Sequence, residues 1–188
     1  MSDTKTKITD SSRILTVANM ISLLRAFLAL PIIYTLQYPD RRLWTFILIL
    51  IAMISDMLDG YFARRAHEVT QFGKWIDPIA DFICLTSVTY YLALNEMFPM
   101  WFFAFYLFRY VTIAILAIYL INYSGYILSS NMYGKWAGGI TLLTVVLHIF
   151  YIPIFEWLRD LTLWIAFILM FISWLHYIKS MIIKMKDV

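Results

Sequence analysis

A single cysteine, Cys84, stands in this chain of 188 residues. Its solitude excludes an intrachain disulfide framework and any cysteine-rich metal site, and leaves packing in an apolar helix as its expected role. Charge is scarce as well. Lys, Arg, Asp and Glu make up 14% of the residues, where a soluble domain carries about 25%. No cleavable signal peptide is apparent, because the opening MSDTKTKITDSSR is polar and mixed in charge. Internal repeats and low-complexity tracts are absent too. The net charge of +3 is small, and it gives no reason to expect a nucleic-acid polymer as partner.

Apolar residues fill the space that charge leaves. They make up 62% of the chain, with a mean hydropathy of +0.76, against about 45–50% apolar in a soluble domain. That excess predicts an all-α, polytopic membrane protein with six transmembrane helices of about 20 residues each. The spans are expected near 18–37, 42–64, 75–95, 99–122, 134–152 and 158–178. Residues 1–17 form a polar, partly interfacial N-terminal segment, 18–182 a single membrane domain, and 183–188 a polar tail. Pro31 is expected to kink the first span. Trp44, Trp101 and Trp157, near span ends, fit an interfacial aromatic belt.

Six spans put both termini on one side of the bilayer. That side would carry ten cations (Lys5, Lys7, Arg13, Arg64, Arg65, Lys74, Lys135, Lys179, Lys184 and Lys186), against Arg41, Arg42 and Arg159 on the other. The bias predicts cytoplasmic termini. Arg25 and Arg109 lie within spans.

Into this apolar frame the stretch DMLDGYFARRAHEVTQFGKWIDPIAD, residues 56–81, places four aspartates. Asp56 and Asp59 are three apart at the end of the second span, and Asp77 and Asp81 are four apart at the start of the third. On helices either spacing puts the pair on one face. A hairpin of the two helices would bring all four together on the cytoplasmic side. Carboxylates at membrane depth need a charge partner, and carboxylate oxygens are preferred ligands of hard cations such as Mg²⁺ or Mn²⁺. Four of them can hold two such ions, an arrangement that suits phosphoryl transfer. The small Gly60 and Ala63 leave space for a ligand against the helix. Arg64 and Arg25 are placed to meet phosphate oxygens, which an arginine fork suits.

The pattern Asp56-x2-Asp59-Gly60-x2-Ala63-Arg64-x8-Gly73-x3-Asp77-x3-Asp81 resembles the signature of the CDP-alcohol phosphotransferase family at all eight specified positions. The resemblance implies transfer of a substituted phosphate from a CDP-linked donor to an alcohol, with release of CMP, in a cavity facing the cytoplasm. It implies that Asp56, Asp59 and Asp77 hold metal and that Asp81 shares a metal and acts as general base. It also implies that Gly60, Ala63, Arg64 and Gly73 surround the cytidine nucleotide.

The segment ANMISLLR, with Asn19, Ser22 and Arg25, resembles the PN-x2-T-x2-R opening of the family's bacterial phosphatidylglycerophosphate synthases and their cardiolipin-synthase relatives. That likeness adds Asn19 and Ser22 to the nucleotide site. LFRYV and YGKWAGG resemble later elements of the family, and Arg25, Arg109 and Lys135 become candidates for a phosphorylated acceptor. The implied reaction is phosphatidyl transfer from CDP-diacylglycerol to glycerol 3-phosphate in a bacterial plasma membrane. Ala117 and Ala137 stand where further basic residues are expected, and Phe82 where a lysine is common, so this acceptor pocket is less basic. Inositol phosphate, serine, phosphatidylglycerol (giving cardiolipin) and head-group transfer to diacylglycerol stay open as alternatives. The Gly138–Gly139 pair suits close helix packing, and a homodimer contact is one option.

Two other readings compete. The aspartates could form ion pairs with Arg64, Arg65 and Lys74, which leaves Gly60, Ala63 and Gly73 without a reason. A cation transporter would more often carry its carboxylates at the bilayer midplane than at a helix end.

Overall fold

The computed structural model describes residues 17–65, 71–124, 132–150 and 152–186, and side chains for all of these except 17, 18, 56, 57, 59–65, 71–75, 77, 120–124 and 184–186. The described residues contain helices and no strand: α1 (Val17–Leu36), α2 (Arg42–Arg65), α3 (Gln71–Leu94), α4 (Met100–Ser124), α5 (Met132–Ile149) and α6 (Glu156–Lys186). Three stretches are long and apolar enough to cross a membrane, namely Asn19–Leu36, Met100–Tyr119 and Pro153–Ile183, and Pro78–Leu94 is a shorter apolar helix. Large apolar side chains such as Phe27, Leu30, Ile115, Ile118 and Ile168 are exposed, as lipid-facing positions would be.

The boundaries fall close to those expected, with two extensions. Helix α3 begins at Gln71, so Gly73 and Lys74 belong to the helix and not to the connection before it. Helix α6 runs to Lys186, into the expected polar tail. Both extensions carry Lys among apolar neighbours, and a long cationic side chain lets a helix continue into the interfacial zone. Residues 1–16, the connection 66–70 with His67, and the connection 125–131 after α4 lie outside the described residues.

Proline shapes two of the connections in the same way. Tyr38 and Ile152 each precede a proline and are extended (φ −122°, ψ 112° and φ −119°, ψ 115°), the conformation that proline imposes on its predecessor. Pro39 and Pro153 then open single 3-10 turns that feed α2 and α6. The α3–α4 connection ends its helix differently. Met97 N–H donates to Leu92 C=O (2.9 Å) and Glu96 N–H to Ala93 C=O (3.3 Å), with Glu96 at φ 59°. This is a Schellman cap with glutamate at the left-handed position that usually takes glycine.

The chain divides into two compact units, Met1–Val88 and Thr89–Val188, with the boundary inside α3. In the first unit α1 packs along α2. Helix α1 buries Asn19, Ser22, Arg25, Ala29 and Ile32, a run of three- and four-residue steps that keeps one face inward. Thr35 and Thr45 are both buried, and Thr45 Oγ1 donates to Thr35 Oγ1 at 3.0 Å across the two helices. Pro31 lies inside α1, and helix continues on both sides of it.

In the second unit α6 packs against both α5 and α4. Helix α5 buries Ala137, Thr141, Thr144 and His148. Its threonines satisfy themselves locally: Thr141 Oγ1 donates to Ala137 C=O (2.6 Å) and Thr144 Oγ1 to Ile140 C=O (2.8 Å). Helices α4 and α6 meet through an aromatic seam. Trp101 packs on Trp164 and Phe167, Phe105 on Phe167 and Phe171, and Phe108 on Trp174, with ring centroids 4.9–6.3 Å apart. Such ring pairs contribute about 0.5–1.5 kcal/mol each beyond the area they bury. Among the described residues Gly138 and Gly139 take no part in close packing, since a Cβ at either would meet nothing within 4 Å.

Candidate active site

The signature residues fall on the helices that their spacing requires. Asp56, Asp59, Gly60, Ala63 and Arg64 lie in the last three turns of α2, and Gly73, Asp77 and Asp81 in the first three turns of α3. Both stretches are helical throughout, so the three- and four-residue steps correspond to same-face positions on each helix. The side chains of Asp56, Asp59, Gly60, Ala63, Arg64, Gly73 and Asp77 lie outside the described residues. Among the described side chains no three potential metal ligands gather. Asp81 is the one member of the cluster whose surroundings are visible.

Asp81 meets Arg25. The guanidinium Nη1 of Arg25 donates to Asp81 Oδ1, an ion pair between α1 and α3 across 56 positions of sequence. The two ends differ: the Arg25 side chain is 4% exposed and the Asp81 side chain 50%. The arginine is therefore a fixed, dry partner, while the carboxylate keeps an open side from which a hard cation or a hydroxyl can approach. As a half-accessible oxygen donor Asp81 fits a divalent cation. Asn19 and Ser22 lie on the same buried face of α1, about two turns and one turn before Arg25. Each has a partner of its own.

The other two candidate cations are in the second unit, and they differ sharply. Lys135 is exposed on the first turn of α5. Arg109 is buried at 6% exposure in α4, where Nη2 donates to Ser173 Oγ of α6 at 3.1 Å. The Tyr110 ring lies 5.3 Å from its guanidinium carbon. Its buried Nε has no hydrogen-bond partner, and no carboxylate among the described residues faces it. Burying a guanidinium without an anion is costly, and arginine does not escape by losing its proton. An anion bound beside Arg109 would offset that cost.

Two contacts had no signal in the sequence. The Arg25–Asp81 pair joins residues too far apart for any local pattern. Ser173 is one hydroxyl in a long apolar run; only its step of three from Met170 and seven from Ala166, both buried, marks it as inward-facing.

Comparison with known proteins points to one family. The family model described as CDP-alcohol phosphatidyltransferase matches residues 15–176. A CDP-diacylglycerol–glycerol-3-phosphate 3-phosphatidyltransferase of Bacillus subtilis is 31% identical over 147 residues, covering 76% of either chain. One of the same name from Aquifex aeolicus is 31% identical over 169 residues, 86% of this chain and 93% of its own. A CMP-forming cardiolipin synthase of Streptomyces coelicolor is 30% identical over 96 residues, 48% of this chain and 45% of its own. A family match of this extent, over helices that carry all eight signature residues in register, is decisive: this chain belongs to the CDP-alcohol phosphatidyltransferase family.

Proposed function

We propose that this protein transfers a phosphatidyl group from CDP-diacylglycerol to glycerol 3-phosphate, releasing CMP and forming phosphatidylglycerophosphate. Family membership supports the reaction class. The acceptor rests on Arg109, a buried guanidinium with no anion facing it among the described residues, which suits an acceptor that carries a phosphate of its own. Relatives matched along three quarters or more of their length bear the same activity in their names.

In this reading the acceptor hydroxyl forms a new P–O bond to the phosphatidyl phosphorus. The bond from that phosphorus to the CMP oxygen breaks, and the hydroxyl proton passes to Asp81. Arg25 orients the Asp81 carboxylate through Oδ1 and leaves its open side to the reactants. Divalent-metal dependence is general in the family, and Asp56, Asp59, Asp77 and Asp81 would hold two ions, Mg²⁺ or Mn²⁺. Bound there, the ions would neutralise the pyrophosphate and make CMP a better leaving group. Arg64 would add a fork to the diphosphate, with Gly60, Ala63 and Gly73 giving room for the cytidine nucleotide. Asn19 and Ser22 would complete that site from α1, and Lys135 would add charge near the acceptor.

The reading also takes residues 18–182 as one six-span domain with both termini and the aspartates at the cytoplasmic face, in a bacterial plasma membrane. A homodimer is compatible with the open face at Gly138 and Gly139.

Cardiolipin synthases among the similar proteins favour one second reading, with phosphatidylglycerol as acceptor. Purified protein given CDP-diacylglycerol and a panel of alcohols decides between the two. CMP release with glycerol 3-phosphate is expected. Release with phosphatidylglycerol, serine or inositol phosphate, and none with glycerol 3-phosphate, would overturn the acceptor assignment.

A further inference from the structure

Helix α6 carries none of the signature residues, yet two consecutive positions on it bond to Arg109 and to Thr112 one turn further along α4. Ser173, fully buried, accepts from Arg109 Nη2 at 3.1 Å. The next residue, Trp174, donates from Nε1 to Thr112 Oγ1 at 2.9 Å. The Thr112 hydroxyl in turn lies 2.9 Å from the carbonyl oxygens of both Phe108 and Arg109, and can donate to either. So the arginine is held at its tip by Ser173 and beside its backbone by the Thr112–Trp174 clamp. The aromatic seam of α4 and α6 continues from that clamp, with Phe108 on Trp174 at 5.6 Å.

The chemistry of the tip contact is informative. A guanidinium has five N–H donors, and Ser173 engages one nitrogen while the buried Nε keeps no partner. Serine is neutral. It fixes the direction of the guanidinium without cancelling its charge, whereas an aspartate or glutamate at the same place would do both. Such a contact is what an anion subsite requires, because a cation already held in place binds an anion at a smaller ordering cost.

We infer that Ser173 is a positioning residue for the acceptor's phosphate group, acting through Arg109, and that α6 is thereby part of the acceptor site. The inference rests on the assignment of Arg109 to the acceptor phosphate. It predicts that affinity for the acceptor, and not the chemical step or the donor, depends on a hydroxyl at position 173.

The test is a double-mutant cycle on the full-length purified protein, with CMP release followed against sn-glycerol 3-phosphate and CDP-diacylglycerol concentrations. Ser173→Ala should raise KM for glycerol 3-phosphate about tenfold, and leave kcat and the donor KM within about twofold. Arg109→Ala should raise the acceptor KM further. Adding Ser173→Ala to Arg109→Ala should then change it by less than about twofold, because the serine acts only through the arginine. Ser173→Thr, which keeps the hydroxyl, should bring the acceptor KM back towards wild type. As a readout apart from turnover, glycerol 3-phosphate should raise the thermal midpoint of wild type and of Ser173→Thr more than that of Ser173→Ala.

The possible failures are distinct. An unchanged acceptor KM in Arg109→Ala would remove the Arg109 assignment and this inference with it. A raised KM in Arg109→Ala, with Ser173→Ala unchanged or fully additive in the double mutant, would overturn the role of Ser173 alone.

Discussion

Arg25 and Asp81 offer the sharpest perturbation. Exposed ion pairs contribute about 0–1 kcal/mol, and removal of one partner from a fully buried pair costs about 3–5 kcal/mol. This pair lies between, with its arginine 4% exposed and its aspartate 50%. Water can take over the half-open carboxylate, but nothing replaces the packed stem of the arginine. Arg25→Ala should therefore lose about 1–3 kcal/mol of stability. Arg25→Met keeps the apolar stem and discards only the charge, so it should lose no more than about 1 kcal/mol. Activity should behave otherwise. Both variants leave Asp81 without the donor that orients it, and CMP release should fall tenfold or more (order of magnitude) in each. Thermal unfolding in detergent and initial CMP-release rates would be measured on the same preparations. Wild-type turnover in Arg25→Met would refute the orienting role. Unchanged stability in Arg25→Ala would refute the packing of the arginine's stem in the helix interface.

The remaining predictions need less development. Glu96 occupies a left-handed backbone position (φ 59°) in the α3–α4 cap, so Glu96→Gly should stabilise the protein by about 0.5–1 kcal/mol; a lower unfolding midpoint would contradict the cap. Asp56→Asn and Asp77→Asn should each abolish turnover and weaken Mg²⁺ or Mn²⁺ binding, read by calorimetry, with helical circular dichroism unchanged. Full activity in either would remove it from the ligand set. Arg64→Ala should raise KM for CDP-diacylglycerol, and unchanged donor kinetics would take Arg64 out of the nucleotide site.

The helices were legible because a membrane chain writes them as long apolar runs, and all six described helices lie near the expected spans. Helix ends were less legible. At Gln71–Lys74 and Ile183–Lys186 helix continues through residues whose polarity suggested loop and tail. The aspartate motif was readable because its residues are close in sequence and share two helices. Arg25 was visible as a cation in a span and through the ANMISLLR resemblance, but not as the partner of Asp81. Its partner is 56 residues away, and no periodicity links α1 to α3. Arg109 drew attention by its place in α4, but the neutral serine that holds it is on α6, 64 residues further on. The Gly138–Gly139 pair, read as a close-packing element with a dimer contact as one option, has no neighbour within 4 Å of a Cβ among the described residues of its own chain.

The central claim is a balanced transfer, and it reduces to one measurement. Purified protein would be given CDP-diacylglycerol, radiolabelled glycerol 3-phosphate and Mg²⁺, and CMP and lipid-bound label would be counted together. Equal amounts of CMP and labelled phosphatidylglycerophosphate, with neither formed when the metal is chelated, are the predicted result. CMP appearing without label in the lipid, or transfer that persists after chelation, would contradict it.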